Sequence, residues 1–256
     1  MFKFLRIAIL LVILATVAEE AWLARSRAVS WHDPLRVAIY PINGDGSAVA
    51  AGYLRGLKPD SFKPIEHFFE EEAKRHGRDI MHPVNLAVAP PVDGLPPQPT
   101  RGGSALANVL WSLQMRFWAW RHDAVPGMKP QVRMFVLFFD PAAHPSIAHS
   151  VGVERGMIGL VNAFADREMA GSNAVVITHE LLHTLGATDK YDAADNRPRF
   201  PDGYAEPERS PRHPQHFAEI MAGRIPVSDS QAEVPDGLDR VLIGSATAAE
   251  IGWAAK

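Results

Sequence analysis

Two histidines and a glutamate stand together in His179-Glu180-Leu181-Leu182-His183, with Gly186 and Asp189 just downstream. On a helix, residues four apart lie on one face about one turn apart. His179 and His183 can therefore aim both imidazoles at one tetrahedral cation, at the ~2.0–2.1 Å typical of zinc–nitrogen bonds. Glu180 projects roughly 100° around the helix from His179, so it flanks the ion rather than binding it. That geometry suits a general base acting on metal-activated water. Gly186 can adopt the left-handed conformation that ends a helix and turns the chain back. The turn would then deliver Asp189 as a third ligand, leaving a fourth position for water, the catalytic rather than the structural arrangement. Asp192, Asp195 and Glu219 compete with Asp189 as oxygen ligands, and Tyr191 and Tyr204 are candidate electrophiles or transition-state donors.

The surroundings point the same way. Between Asn173 and Gly186 the only acid is Glu180, set among Ala, Val, Ile, Leu, Thr and the two histidines. A helix apolar on most faces is buried, and a buried glutamate needs compensation that a cation supplies. The chain has no cysteine. Disulfides, thiolate zinc sites and cysteine nucleophiles are thereby excluded, and any metal must be held by nitrogen and oxygen.

HELLHTLGATD resembles the extended zinc motif of the metzincin metallopeptidases, HExxHxxGxx followed by His or Asp, and its aspartate form is similar to that of the snapalysin-type members. Glu219-Ile220-Met221-Ala222-Gly223 resembles the methionine-containing turn that this family carries beneath the metal. The resemblance implies Zn2+ held by His179, His183 and Asp189, with Glu180 catalytic and Met221 as the turn methionine. It also implies an upper domain of twisted sheet and two long helices, with Met157–Phe164 as the edge strand beside which an extended peptide lies. An aspartate ligand adds negative charge where a third histidine adds none, so a more alkaline activity profile is expected than for a three-histidine site. Where some family members have tyrosine two residues after the methionine, this chain has Gly223.

The elements that must position these residues read as an alternating pattern. Leu35–Ile42, Val84–Val92, Gln131–Phe139 and Met157–Phe164 are strand-like; Ser61–His76, Ser104–His122 and Ser172–Leu185 are helical. Such alternation implies an α/β layer: a mixed, largely parallel twisted sheet of zincin-like α+β type, with an active-site helix and a backing helix. Residues 187–237 are crowded with Pro, Asp, Arg and Gly, an irregular stretch long enough to be functional. Thr247 and Glu250 have the spacing of a capping box for a short C-terminal helix. The expected organisation is a 1–30 N-terminal segment and one 31–256 domain, made of an upper 31–186 part and a lower, irregular 187–256 part.

The 256 residues are 47% hydrophobic and 21% charged, which excludes disorder and a polytopic membrane protein. A net charge of -3 leaves no basic footprint for nucleic acid. Lys3 and Arg6 precede an apolar run from Ile7 to Ala18 that Glu19-Glu20 stops. This reads as an uncleaved signal anchor with its positive end cytoplasmic and the bulk of the chain outside. A buried N-terminal helix is the competing reading, and a cleaved peptide would make the protein secreted. Asp140, His144 and His149 have no ligand spacing, the acids at Asp192 and Asp195 lack the pattern of a calcium loop, and Asn43–Ser47 reads as a turn. Trp111, Phe117, Trp118 and Trp120 read as core and sheet-packing residues, and Glu70–Glu72 as a solvated helix face. The expected function is a monomeric, membrane-anchored zinc endopeptidase acting on peptides or proteins. The alternative is a membrane-tethered, non-catalytic interaction module whose zinc is structural.

Overall fold

A computed structural model of the chain describes residues 26–253 apart from 99–103, 124, 126, 148–149 and 154–156, together with positions 4, 16, 19 and 23. Apart from Thr16, the apolar run Ile7–Ala18 lies outside the described residues, as does His149. Among the described residues, no helix is long and apolar enough to cross a membrane.

The centre is a five-stranded sheet. In chain order its strands are β1 (Leu35–Asn43), β2 (Val84–Val88), β3 (Val132–Phe139), β4 (Val151–Val153) and β5 (Ile158–Phe164), and in space they run β2-β1-β3-β5-β4. The first four neighbours are parallel, and only β4 is antiparallel, pairing Val151 with Leu160 and Val153 with Ile158. Side chains alternate along each strand. Val37, Ile39, Met134, Val136 and Phe138 enter one apolar cluster, while Ala38, Tyr40, Ile42, Phe135 and Leu137 enter a second one on the opposite face. A sheet buried on both faces explains why these strands are almost continuously apolar.

Helices cover the two faces. α1 (Ala48–Gly56), α2 (Lys63–Arg75) and α4 (Ala170–Leu185) contribute to the first cluster, and α3 (Ala105–Arg121) packs on the second. The irregular C-terminal part carries short strands, β6 (Ala218–Glu219), β7 (Ile225–Pro226), β8 (Ala232–Glu233) and β9 (Val241–Leu242), then α5 (Ser245–Glu250). Its apolar residues Ile220, Met221, Ile243, Ile251 and Trp253 are buried in the first cluster, so the lower part is packed against the layer that holds α4.

Several sequence expectations need correction. Met157–Phe164 is not the edge: β4, which has only three residues, pairs with the start of β5 and takes the edge position. Helix α1 was not expected; Ser47 caps it, its Oγ accepting from Ala50 N at 3.0 Å, out of the turn that Asn43 and Asp45 stabilise. The second strand ends at Val88, and Val92 keeps only one bridge, to Ile42. Thr247 lies inside α5 rather than at its cap, because its hydroxyl donates to Glu219 while Glu250 turns to Lys190. Glu72 is not solvated: it is buried, accepts from Ile243 N and pairs with Arg75, tying α2 to the chain after β9. On α3, Trp118 packs against Phe135 at 4.9 Å, but Phe117 and Trp120 point to solvent.

Candidate metal centre

Helix α4 presents the site, and its own sequence fixes where it starts and stops. At the first turn the Asn173 side chain acts as a surrogate strand: Phe164 N donates to its Oδ1 at 3.0 Å and its Nδ2 donates to Phe164 O at 2.8 Å. This pair of hydrogen bonds pins the helix to the end of β5. At the other end Gly186 has φ 99°, a left-handed conformation that glycine adopts without strain. Gly186 N then donates to His183 O and Ala187 N to Leu182 O, the two bonds of a Schellman closure.

The closure turns the following loop back beneath the helix and brings Asp189 to the two histidines. Oδ1 of Asp189 lies 3.2 Å from Nε2 of His179 and 3.1 Å from Nε2 of His183. The rings of His179 and His183 are nearly perpendicular, with centroids 4.6 Å apart. Each histidine is oriented from behind. Nδ1 of His179 is 2.9 Å from Ile220 O, and Nδ1 of His183 is 2.8 Å from Ala187 O. A carbonyl oxygen only accepts, so each Nδ1 carries a proton and each ring turns its Nε2 toward Asp189.

Two imidazole nitrogens and a carboxylate oxygen therefore converge, and the buried Oδ1 of Asp189 has no well-formed hydrogen bond. With both Nε2 atoms unprotonated the three groups need a cation between them; a proton on Nε2 serves the same end without a metal. Tetrahedral coordination at ~2.0–2.1 Å places neighbouring ligand atoms about 3.3 Å apart, close to the spacing found here. His179, Glu180 and His183 each also bring a ligand atom within 4.8 Å of the others, so this cluster can hold a metal ion. The three groups are electrostatically coupled. Burial works to raise the Asp189 carboxyl, yet the two facing imidazoles pull it well below the usual range. Burial works against a charge on His183, but Asp189, Glu180 and the Ala187 carbonyl raise its pKa above that of a free imidazole.

Directly below sits the turn Glu219–Gly223. Met221 is fully buried, and Ala222 N and Gly223 N close the turn on Glu219 O. Its other contacts serve the site: Ile220 O holds His179, and Met221 O accepts from Lys190 N. Glu219 is not at the cation centre. Its carboxylate accepts from Met221 N, Ala222 N, Gly244 N and the Thr247 hydroxyl, four donors that fix the turn from inside. Asp192 and Asp195 are likewise turned to their own loop, accepting from Ala194 N and Arg197 N. Asp140 accepts from Ala142 N, and His144 lies 3.7 Å from Asp45.

The cluster lies in a cleft of about 590 Å3 whose wall includes Val175, Val176, Tyr191 and Arg224. Glu180 lines it while its residue is buried. Burial first, and then the Asp189 charge, push the Tyr191 hydroxyl to a higher pKa, so it stays a donor facing the site. Tyr204 lies elsewhere, its hydroxyl 3.2 Å from Nε2 of His213. Sequence reasoning missed Lys190, which is buried beside Asp189 with Nζ on Thr188 and on both carboxylate oxygens of Glu250. It also missed Asn173. A lysine in a polar loop and an asparagine at a helix start carry no local signal of burial. The chain matches no known protein family and no curated protein sequence.

Proposed function

We propose that this chain is a zinc endopeptidase of metzincin type. The observation that carries the reading is the convergence of His179 Nε2, His183 Nε2 and Asp189 Oδ1 at 3.1–3.2 Å, with both Nδ1 atoms committed to backbone carbonyls. An all-nitrogen-and-oxygen set of two imidazoles and one carboxylate matches the chemistry of zinc sites that keep an open position. Zinc, when bound, supplies Lewis-acid polarisation of the scissile carbonyl and a water acidified toward neutrality.

The chain's own groups do the rest. Glu180 brings an oxygen within 4.8 Å of the two histidine nitrogens, and with Asp189 as the third ligand it is the group that takes the proton of the attacking water and returns it to the leaving amine. Tyr191, kept protonated, donates toward the developing oxyanion. The edge strand for an extended peptide is β4 rather than β5: the cleft includes Ser150, immediately before β4, and β4 offers the outer edge of the sheet to backbone pairing. Val175 and Val176 on α4 give the cleft an apolar wall for a side chain next to the scissile bond.

The test is Glu180→Gln, assayed with a peptide-library digest and by metal analysis. The variant is expected to keep a full equivalent of zinc and to lose peptide hydrolysis by several orders of magnitude, and a hydroxamate chelator is expected to block the parent enzyme. An undiminished rate in the variant excludes the mechanism. A zinc-loaded parent chain that cleaves nothing instead supports the structural-zinc interaction module.

A further inference from the structure

Helix α3 is apolar on two opposite sides. Met115 and Ala119 are buried against the sheet, with Trp111 and Trp118 partly buried beside them. At 100° per residue, Val109, Leu110, Leu113, Phe117 and Trp120 fall within an arc of about 100° on the far side of the helix. These five large side chains are 51–71% exposed, and the rings of Phe117 and Trp120 lie 5.9 Å apart. Monomeric proteins rarely leave so continuous a hydrophobic stripe in water, and such stripes mark interaction surfaces.

Charge identifies what the stripe faces. Arg116 borders it on one side and Arg121 on the other, and the chain has no Asp or Glu between Asp93 and Asp123. A Trp, Phe and Leu face edged by arginines, with no acid on the helix, suits the interface of an anionic bilayer, the opposite face being taken up by the sheet. A second copy of this chain fits less well: pairing two such faces brings arginines together with no acid of the helix to offset them. Ala28 and Trp31, the residues that enter the domain from the N-terminus, pack in the first cluster, on the other side of the sheet.

We infer that α3 is a membrane-docking helix whose Val109–Trp120 face seats on an anionic phospholipid surface. Because α3 and α4 cover opposite faces of the sheet, a bilayer under α3 leaves the metal cleft on the water side. The inference does not depend on the metal being catalytic.

The absence of native cysteine makes a single labelled position unambiguous. Leu113→Cys in the full chain, carrying a polarity-sensitive fluorophore, is compared with Met81→Cys, an exposed residue elsewhere. With vesicles of phosphatidylcholine containing about one-third phosphatidylglycerol, the label at 113 is expected to shift to the blue and be quenched by nitroxide lipids. The label at 81 should do neither. Pure phosphatidylcholine should give little shift, and adding Arg121→Glu, a change at an exposed position, should weaken the response about ten-fold. Lack of a lipid-dependent shift overturns the inference. So does a shift without lipid, whether it grows with protein concentration (a second copy) or not (the N-terminal segment). Equal shifts on both vesicle types overturn the anionic assignment.

Discussion

Lys190 and Glu250 close on each other across sixty residues of chain, Nζ lying 2.7 and 2.8 Å from the two carboxylate oxygens immediately behind Asp189. Glu250 also accepts from Thr188 N and the Thr188 hydroxyl, so the end of α5 grips both neighbours of Asp189. The carboxylate that faces the histidines is thus set by a contact from the far end of the domain.

Breaking that contact should loosen the site before it unfolds the protein. Glu250→Gln leaves the Lys190 ammonium, 7% exposed, without its anion. The expected cost is about 3–5 kcal/mol of stability, with metal affinity falling roughly 10- to 100-fold. Calorimetric melting and zinc titration read the two effects separately. A Lys190→Met, Glu250→Leu pair is expected to recover much of the stability but not the affinity.

Metal removal should be visible as lost stability. A cation at 100 times its dissociation constant would stabilise the native state by about 2.7 kcal/mol, a contribution that chelation would remove from the His179, His183 and Asp189 cluster. Melting with and without a strong chelator measures it. Asp189→Ala should remove most of the difference, whereas Asp192→Ala, turned to its own loop, should not.

Asn173→Leu tests the link between α4 and β5. The substitution conserves volume but strands the N–H and C=O of Phe164, at about 1–3 kcal/mol for each unsatisfied group. Denaturant unfolding is expected to show a loss of about 2–6 kcal/mol. A loss well under 1 kcal/mol would mean that water replaces both bonds.

Acid stability should depend on Asp123, which receives the Tyr40 hydroxyl and pairs with Arg133. Burial raises its carboxyl, but those donors and the Arg133 charge outweigh it and hold the pKa below the ordinary value. A depressed folded-state pKa contributes stability above the unfolded value of about 3.9 and loses it as pH falls through the folded one. Asp123→Asn should therefore destabilise the protein at neutral pH and flatten its acid limb, measured by melting between about pH 2 and 7. An unchanged slope below pH 4 would remove Asp123 from the acid transition.

Tyr40 shows why the sheet was legible and its neighbours were not. Leu35–Asn43 and Val132–Phe139 are apolar at nearly every position, and only a strand covered on both sides has use for that, so both followed from composition. Val151–Val153, with three residues, is too short for periodicity to register, and it becomes a strand only because β5 offers it an edge. The same limit produced the error over Met157–Phe164. Glu72 and Glu219 read as surface or ligand acids because burial of a carboxylate depends on donors far along the chain: Ile243 N for one, Gly244 N and Thr247 for the other.

What the sequence determined by itself is the local geometry of the centre. The i, i+4 spacing of His179 and His183 follows from helical pitch, the place of Glu180 beside them from the next step around the helix, and the chain reversal from Gly186 at φ 99°. Tertiary structure alone decided which acid meets the histidines and which way their rings turn. Asp189 is selected over Asp192, Asp195 and Glu219 because Lys190 and Glu250 hold its loop. The imidazoles are aimed because Ile220 and Ala187 present carbonyls to Nδ1. Those choices rest on hydrogen bonds between segments that only packing brings together, and no spacing along the chain encodes them.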